Sequence, residues 1–155
     1  MRRTSVFVAF LAPAIGMAAS PASRAADTPV QTAALDLASV RAMIKAKQFA
    51  AARDELVKLS DSHQHADVYN LLGFSLRKLG DYPKALTYYQ KALDYDPEHK
   101  GAHEYLGELY VETKQMAKAE VQLAILARLC PAVCEERDDL EKAIAAAKQG
   151  KSATN

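Results

Sequence analysis

The chain has no tryptophan, two cysteines, six glycines and six prolines among its 155 residues, and aromatic residues make up 7% of it. Scarce glycine beside abundant alanine favours helix over sheet, because alanine is the best helix former and strands draw on β-branched and aromatic side chains. Charge is equally unremarkable, at a formal net of +1. No stretch joins clustered Lys/Arg to aromatics, so a nucleic-acid surface is not expected. The motifs of common chemistry are missing too: there is no G-x-S-x-G, no phosphate-cradling glycine loop and no H-E-x-x-H. The chain is therefore expected to be non-catalytic and to need no cofactor.

A long uninterrupted apolar run is also absent. The best candidate, Val6 to Ala19, is broken by Pro13 and Gly16, which argues against a permanent membrane span. It follows the basic start Met1-Arg2-Arg3 and leads to small residues, with Ser23 and Ala25 where a cleavage site needs them. Residues 1–25 thus read as a signal peptide cut after Ala25, and the protein is expected to be periplasmic or secreted. The cut removes Arg2, Arg3 and Arg24, which leaves the mature chain nearly neutral. Residues 26–33 lack periodicity and are expected to form a loose tail.

What is present is helical periodicity. Between Ala66 and His99, Tyr69, Leu72, Leu76 and Leu79 make one apolar stripe, Gly80-Asp81 breaks it, and Ala85, Leu86, Tyr89, Ala92 and Leu93 make another before Asp96-Pro97. Two short helices cannot hide those stripes alone. Thirty-four residues on, Leu72, Gly73, Lys84, Ala85 and Pro97 recur as Leu106, Gly107, Lys118, Ala119 and Pro131. These residues, with Tyr69 at the first aromatic place and Tyr89 and Ala92 further on, resemble the tetratricopeptide repeat (TPR). Gly73 against Ala85, and Gly107 against Ala119, should let paired helices approach closely.

Flanking segments extend the pattern. Leu37, Val40 and Ile44 mark a helix over 34–47, and Phe49, Ala52, Leu56 and Leu59 mark one over 49–59; Phe49 and Ala52 stand 33 residues before Tyr82 and Ala85. Beyond Pro131, Leu140, Ala143, Ile144 and Ala147 share one face of a helix over 135–148, polar elsewhere as a terminal cap should be. The fold expected is all-α: an α-solenoid of three TPR-like helix pairs (34–65, degenerate; 66–99; 100–133) plus a C-terminal capping helix, a TPR domain over 34–149. It should form a shallow right-handed cradle, with 150–155 frayed.

The resemblance implies a function and a surface. TPR proteins commonly hold a partner segment against the first helix of each pair, through its second, fifth, ninth and twelfth residues. Here those are Asp67, Asn70, Phe74 and Arg77, then Gly101, Glu104, Glu108 and Val111. In the degenerate pair the nearest are Leu37, Arg41, Ile44 and Lys45. The cradle would be basic at one end (Arg41, Lys45, Arg77) and acidic at the other (Glu104, Glu108). Phe74 would serve as apolar anchor, Arg41 and Arg77 would select acidic groups, and Asn70 would bond backbone. The function expected is a protein–protein interaction scaffold. The lysine–asparagine clamp on a C-terminal carboxylate is not reproduced, since Leu71 stands where its asparagine would be.

Cys130 and Cys134 in L-C-P-A-V-C admit three readings: a disulfide tying the last pair to the cap, a Cu(I) or thiol-redox site serving an accessory or assembly role, or two free thiols. The spacing is not C-x-x-C. His63 and His65 flank a glutamine in a linker, and His99 and His103 stand four apart near a helix start; they read as polar residues in solvent, with no metal site expected. Tyr89 falls on a core position, whereas Tyr88 and Tyr95 should keep their phenol ends nearer water.

Overall fold

The computed structural model describes residues 35–132 and 134–150, all within one compact unit. The expected signal peptide, the tail over 26–33 and, apart from Gly150, the fray over 150–155 lie outside the described residues. Among those described, seven helices and no strand occur: α1 Ala38–Lys45, α2 Phe49–Ser62, α3 Ala66–Lys78, α4 Tyr82–Tyr95, α5 Lys100–Glu112, α6 Met116–Leu129 and α7 Glu135–Lys148. α1 packs on α2, α3 on α4 and α5 on α6, while α2 on α3, α4 on α5 and α3 on α5 stack successive pairs. α7 closes the far end against α5 and α6. This is the all-α solenoid of helix pairs. None of these helices is long and apolar enough to cross a membrane.

One turn geometry joins the helices of every pair. After α3, Gly80 at φ 81° donates to Arg77 O, and Asp81 donates to Leu76 O. Lys47 and Lys114 do the same, at φ 58° and 59°, with Gln48 bonding Met43 O and Gln115 bonding Tyr110 O. These are Schellman ends, which satisfy the last carbonyls of a helix but need a left-handed residue that glycine alone fills without strain. Asp81 then caps α4, accepting from Lys84 N at 3.3 Å, and Pro83 sits in the first turn where its missing N–H costs nothing. The first helix is shorter than the 34–47 expected. It begins where the Asp36 carboxylate accepts from Ala38 N at 2.8 Å.

One core runs the length of the stack through Val40, Leu56, Leu72, Tyr89, Leu109, Leu126 and Leu140, all nearly inaccessible. Gly73 sits where a Cβ would lie 2.7 Å from the Tyr89 ring and 3.2 Å from Ala85 O, so α3 and α4 do approach as the spacing predicts. Gly107 departs from expectation. Its missing side chain makes room for Leu140 of the capping helix rather than for Ala119, because α5 packs on α7 as well as α6.

Cys130 ends α6 and Cys134 precedes α7, and a disulfide joins them. Both are buried. The bridge ties the last pair to the cap across so short a loop that the chain-entropy model gives it about 2 kcal/mol. With each sulfur bonded to the other, neither is a thiolate available to copper.

Candidate functional site

Helices α1, α3 and α5 and the first turn of α7 enclose a cleft of about 350 Å³. α1 contributes Arg41; α3 contributes Asp67, Asn70 and Leu71. From α5 and its cap come His99, Gly101, Glu104 and Tyr105, and from α7 come Glu135, Glu136 and Asp139. Five groove positions named above therefore meet in one place: Arg41, Asp67, Asn70, Gly101 and Glu104.

The others do not join them. Arg77 is no free selector of acidic groups. Its side chain is 1% exposed and bonds Glu108 at 2.5 Å, Glu112 at 2.7 Å and Tyr89 Oη at 3.3 Å, engaging all three guanidinium nitrogens. The guanidinium also lies 5.4 Å from the Phe74 ring centre and 5.8 Å from that of Tyr105. Burial works against its charge, but Tyr89, Glu108 and Glu112 outweigh that and hold its pKa above the ordinary value. Arg77 is thus a strut between α3, α4 and α5. Glu108 is spent on it.

Phe74 is likewise not a bare anchor. It is half-buried between Phe49, with ring centres 6.1 Å apart, and Tyr105, at 4.8 Å. Leu37 and Val111 are buried and Ile44 is half-buried, all in the core. Lys45 is exposed in the last turn of α1. The expected division into basic and acidic ends is therefore replaced by an acidic cleft with Arg41 on its rim, where that residue stands 3.8 Å from Asp67.

One buried polar atom in the cleft lacks a partner, and a mostly buried carboxyl stands beside it. Asn70 is 4% exposed, and its Oδ1 accepts no hydrogen bond among the described residues. Glu104 is 9% exposed, and no hydrogen bond or ion pair to it occurs among them. Burial first, then the charges of Glu108, Asp139 and Glu136, push its carboxyl up to about 8, with Arg77 pulling only partly the other way. Tyr105 beside it is raised to about 12, chiefly by burial. Buried polar groups are nearly always paired, so the orphaned Asn70 carbonyl, beside a mostly buried carboxyl that no described side chain bonds, marks a place prepared for something else.

The histidines divide: His65 is exposed and His63 half-buried, as polar residues near solvent should be, whereas His99 is largely covered and His103 is buried, contrary to expectation. His65 and His99, one repeat apart, each cap a helix: Nδ1 accepts from Asp67 N at 3.2 Å and from Ala102 N at 3.0 Å. That leaves His99 Nε2 to donate to Asp67 at 3.2 Å, across the repeat boundary. His103 is buried between Pro97 O, at 2.9 Å, and the Gln122 side chain, at 2.7 Å. Cap positions carry histidine too rarely for the sequence to have signalled this; only the interval of 34 hinted at it. Tyr89 is fully buried and Tyr95 is 47% exposed, while Tyr88 lies between. Among the described residues no group of three or more His, Cys, Asp or Glu is placed to hold a metal ion.

Comparison with known proteins bears on the same region. Residues 66–99, which span α3 and α4, match the family model described as tetratricopeptide repeat. A 72-residue stretch is 35% identical to "Uncharacterized protein ycf37" of Guillardia theta, covering 46% of this chain and 40% of that protein. The chain thus spans well under half the length of that relative. Tetratricopeptide repeats in general mediate protein–protein interaction and are typically non-catalytic, and it is the central part of this chain that matches them.

Proposed function

We propose that this chain is a non-catalytic scaffold that holds an extended segment of a partner protein in the cleft between α1, α3, α5 and α7. The observation that carries the reading is the convergence there of Arg41, Asp67, Asn70, Gly101 and Glu104, with the buried Asn70 carbonyl left without a partner. Leaving such groups unsatisfied costs stability, and a guest supplying donors would recover it. Gly101 offers a direct test, because it lines the cleft on the first turn of α5 and a Cβ there would come within 3.1 Å of Asn70 Nδ2. Gly101→Phe should fill the cleft and abolish partner capture, with the helical circular-dichroism spectrum retained to show that the variant still folds. Full capture by this variant would place the binding surface elsewhere.

We also infer that the protein works outside the cytoplasm. The basic start, broken apolar segment and small residues before Ala26 support this, as does a cysteine pair suited to an oxidising compartment. Mass analysis of the protein recovered from its source should find a chain beginning at Ala26. Recovery of the uncut chain from the cytoplasm would contradict it.

A further inference from the structure

We propose that the inner end of this cleft is a receptor for one arginine side chain of the partner segment, its guanidinium lodged between Glu104, Asn70 and the acidic first turn of α7. The inference rests on the cleft being the partner-binding groove and adds the chemistry of the guest.

The molecule carries its own precedent one turn away. Glu104, Glu108 and Glu112 follow one another at four-residue intervals along α5, a ladder of carboxylates on one face. Arg77 occupies two rungs, bonding Glu108 and Glu112 with its plane near the Phe74 and Tyr105 rings. Glu104 is the third rung. It has the same kind of setting, buried and near Tyr105, but no cation.

Neighbouring charges define what fits. Asp67 is engaged by His99, and Asp139 by Lys142 at 2.7 Å, so Glu104 is the buried acid left to take a positive group. An incoming carboxylate would meet like charge from α5 and α7. The absence of a metal-holding cluster among the described residues turns the assignment from a divalent ion to an organic cation. Arginine suits the site better than lysine: its planar, weakly hydrated fork of five donors loses less on burial and can bond a carboxylate and the Asn70 carbonyl together.

The protonation of Glu104 adds a signature. Held up to about 8, chiefly by burial, its carboxyl is mostly neutral in the empty cleft at pH 7. Arginine binding favours the ionised form and so expels a proton. Affinity should then climb with pH, by up to about tenfold per unit, and level off above about 8. The other groups facing the carboxyl are Glu108, Glu135, Glu136, Asp139, Asp67, His99 and Tyr105, with Arg41 and Arg77 as fixed positive charges.

The test is an NMR titration of the full chain with a blocked Gly-Gly-Arg-Gly-Gly peptide, beside its citrulline and lysine counterparts. The arginine peptide should shift the Asn70 side-chain amide and the Gly101 N–H, bind about tenfold or more tighter than citrulline, and lose its pH dependence in Glu104→Gln. Equal binding of citrulline, shifts confined to other surfaces, the same shifts from magnesium or calcium, or an unchanged pH profile in Glu104→Gln would each overturn the assignment. Failure of the groove itself is read separately: a Gly101→Phe variant that still captures the partner defeats that reading whatever the peptides do.

Discussion

Replacing Glu104 by glutamine should stabilise the protein, and by an amount that depends on pH. The carboxyl titrates near 4.5 in an unstructured chain and about 8 in the fold. Below the lower value it is protonated in both states, and its ionisation contributes nothing. Between the two, the folded chain keeps a proton that the unfolded chain has given up, so stability falls as pH rises, by at most about 1.4 kcal/mol per unit. Above about 8 both states are ionised and the penalty is complete. From pH 5 to pH 7 the loss should reach about 2 kcal/mol in the wild type. Glutamine keeps the shape and cannot ionise. Urea midpoints measured from pH 5 to pH 9 should nearly coincide for the two proteins at the acid end and separate steadily toward pH 8. The remaining carboxylates titrate in both proteins, so the difference isolates this one. Parallel curves would refute the idea that Glu104 is buried without a partner.

Other changes follow from the same packing. Arg77→Ala should cost about 3–5 kcal/mol, read as a fall in melting temperature of about 10–20 °C, because it leaves Glu108 and Glu112 beside Glu104 without their counter-charge. Lys47→Gly and Lys114→Gly should each stabilise by about 1 kcal/mol in chemical denaturation, since both lysines occupy left-handed backbone that glycine adopts freely. Gly73→Ala should destabilise by about 1–3 kcal/mol, its Cβ meeting the immobile Tyr89 ring and the Ala85 carbonyl. Cys134→Ser should lower stability by about 2 kcal/mol while leaving partner capture intact, because the disulfide lies at the turn into the cap rather than in the cleft.

The helices were legible because their information is local. Tyr69, Leu72 and Leu76 mark a buried face by spacing alone, and Leu140, Ala143 and Ile144 do so for α7, which runs from Glu135 to Lys148. Gly80 marked one turn, but Lys47 and Lys114 hid the same geometry behind residues that seldom adopt it. Charged residues were harder. Arg77 on a soluble helix looks available, and only its pairing with Glu108 and Glu112, 31 and 35 residues away, turns it into an internal strut. Glu104 and Glu108 read alike in sequence, as one acidic ridge. Tertiary structure separates them by giving an arginine to one and none to the other. The caps at His65 and His99 were hidden for a similar reason: a ring nitrogen can cap a helix, but nothing in composition distinguishes a capping histidine from one that bonds only water.

Position-specific photo-crosslinking tests the central claim most directly. A photoreactive side chain would be placed at Arg41 or Glu135 on the rim of the cleft, and at Lys84 or Val121 on the second helices of their pairs. Capture of the partner from the rim positions and not from α4 or α6 is the outcome predicted. Crosslinks from Lys84 or Val121 with none from Arg41 or Glu135 would contradict it.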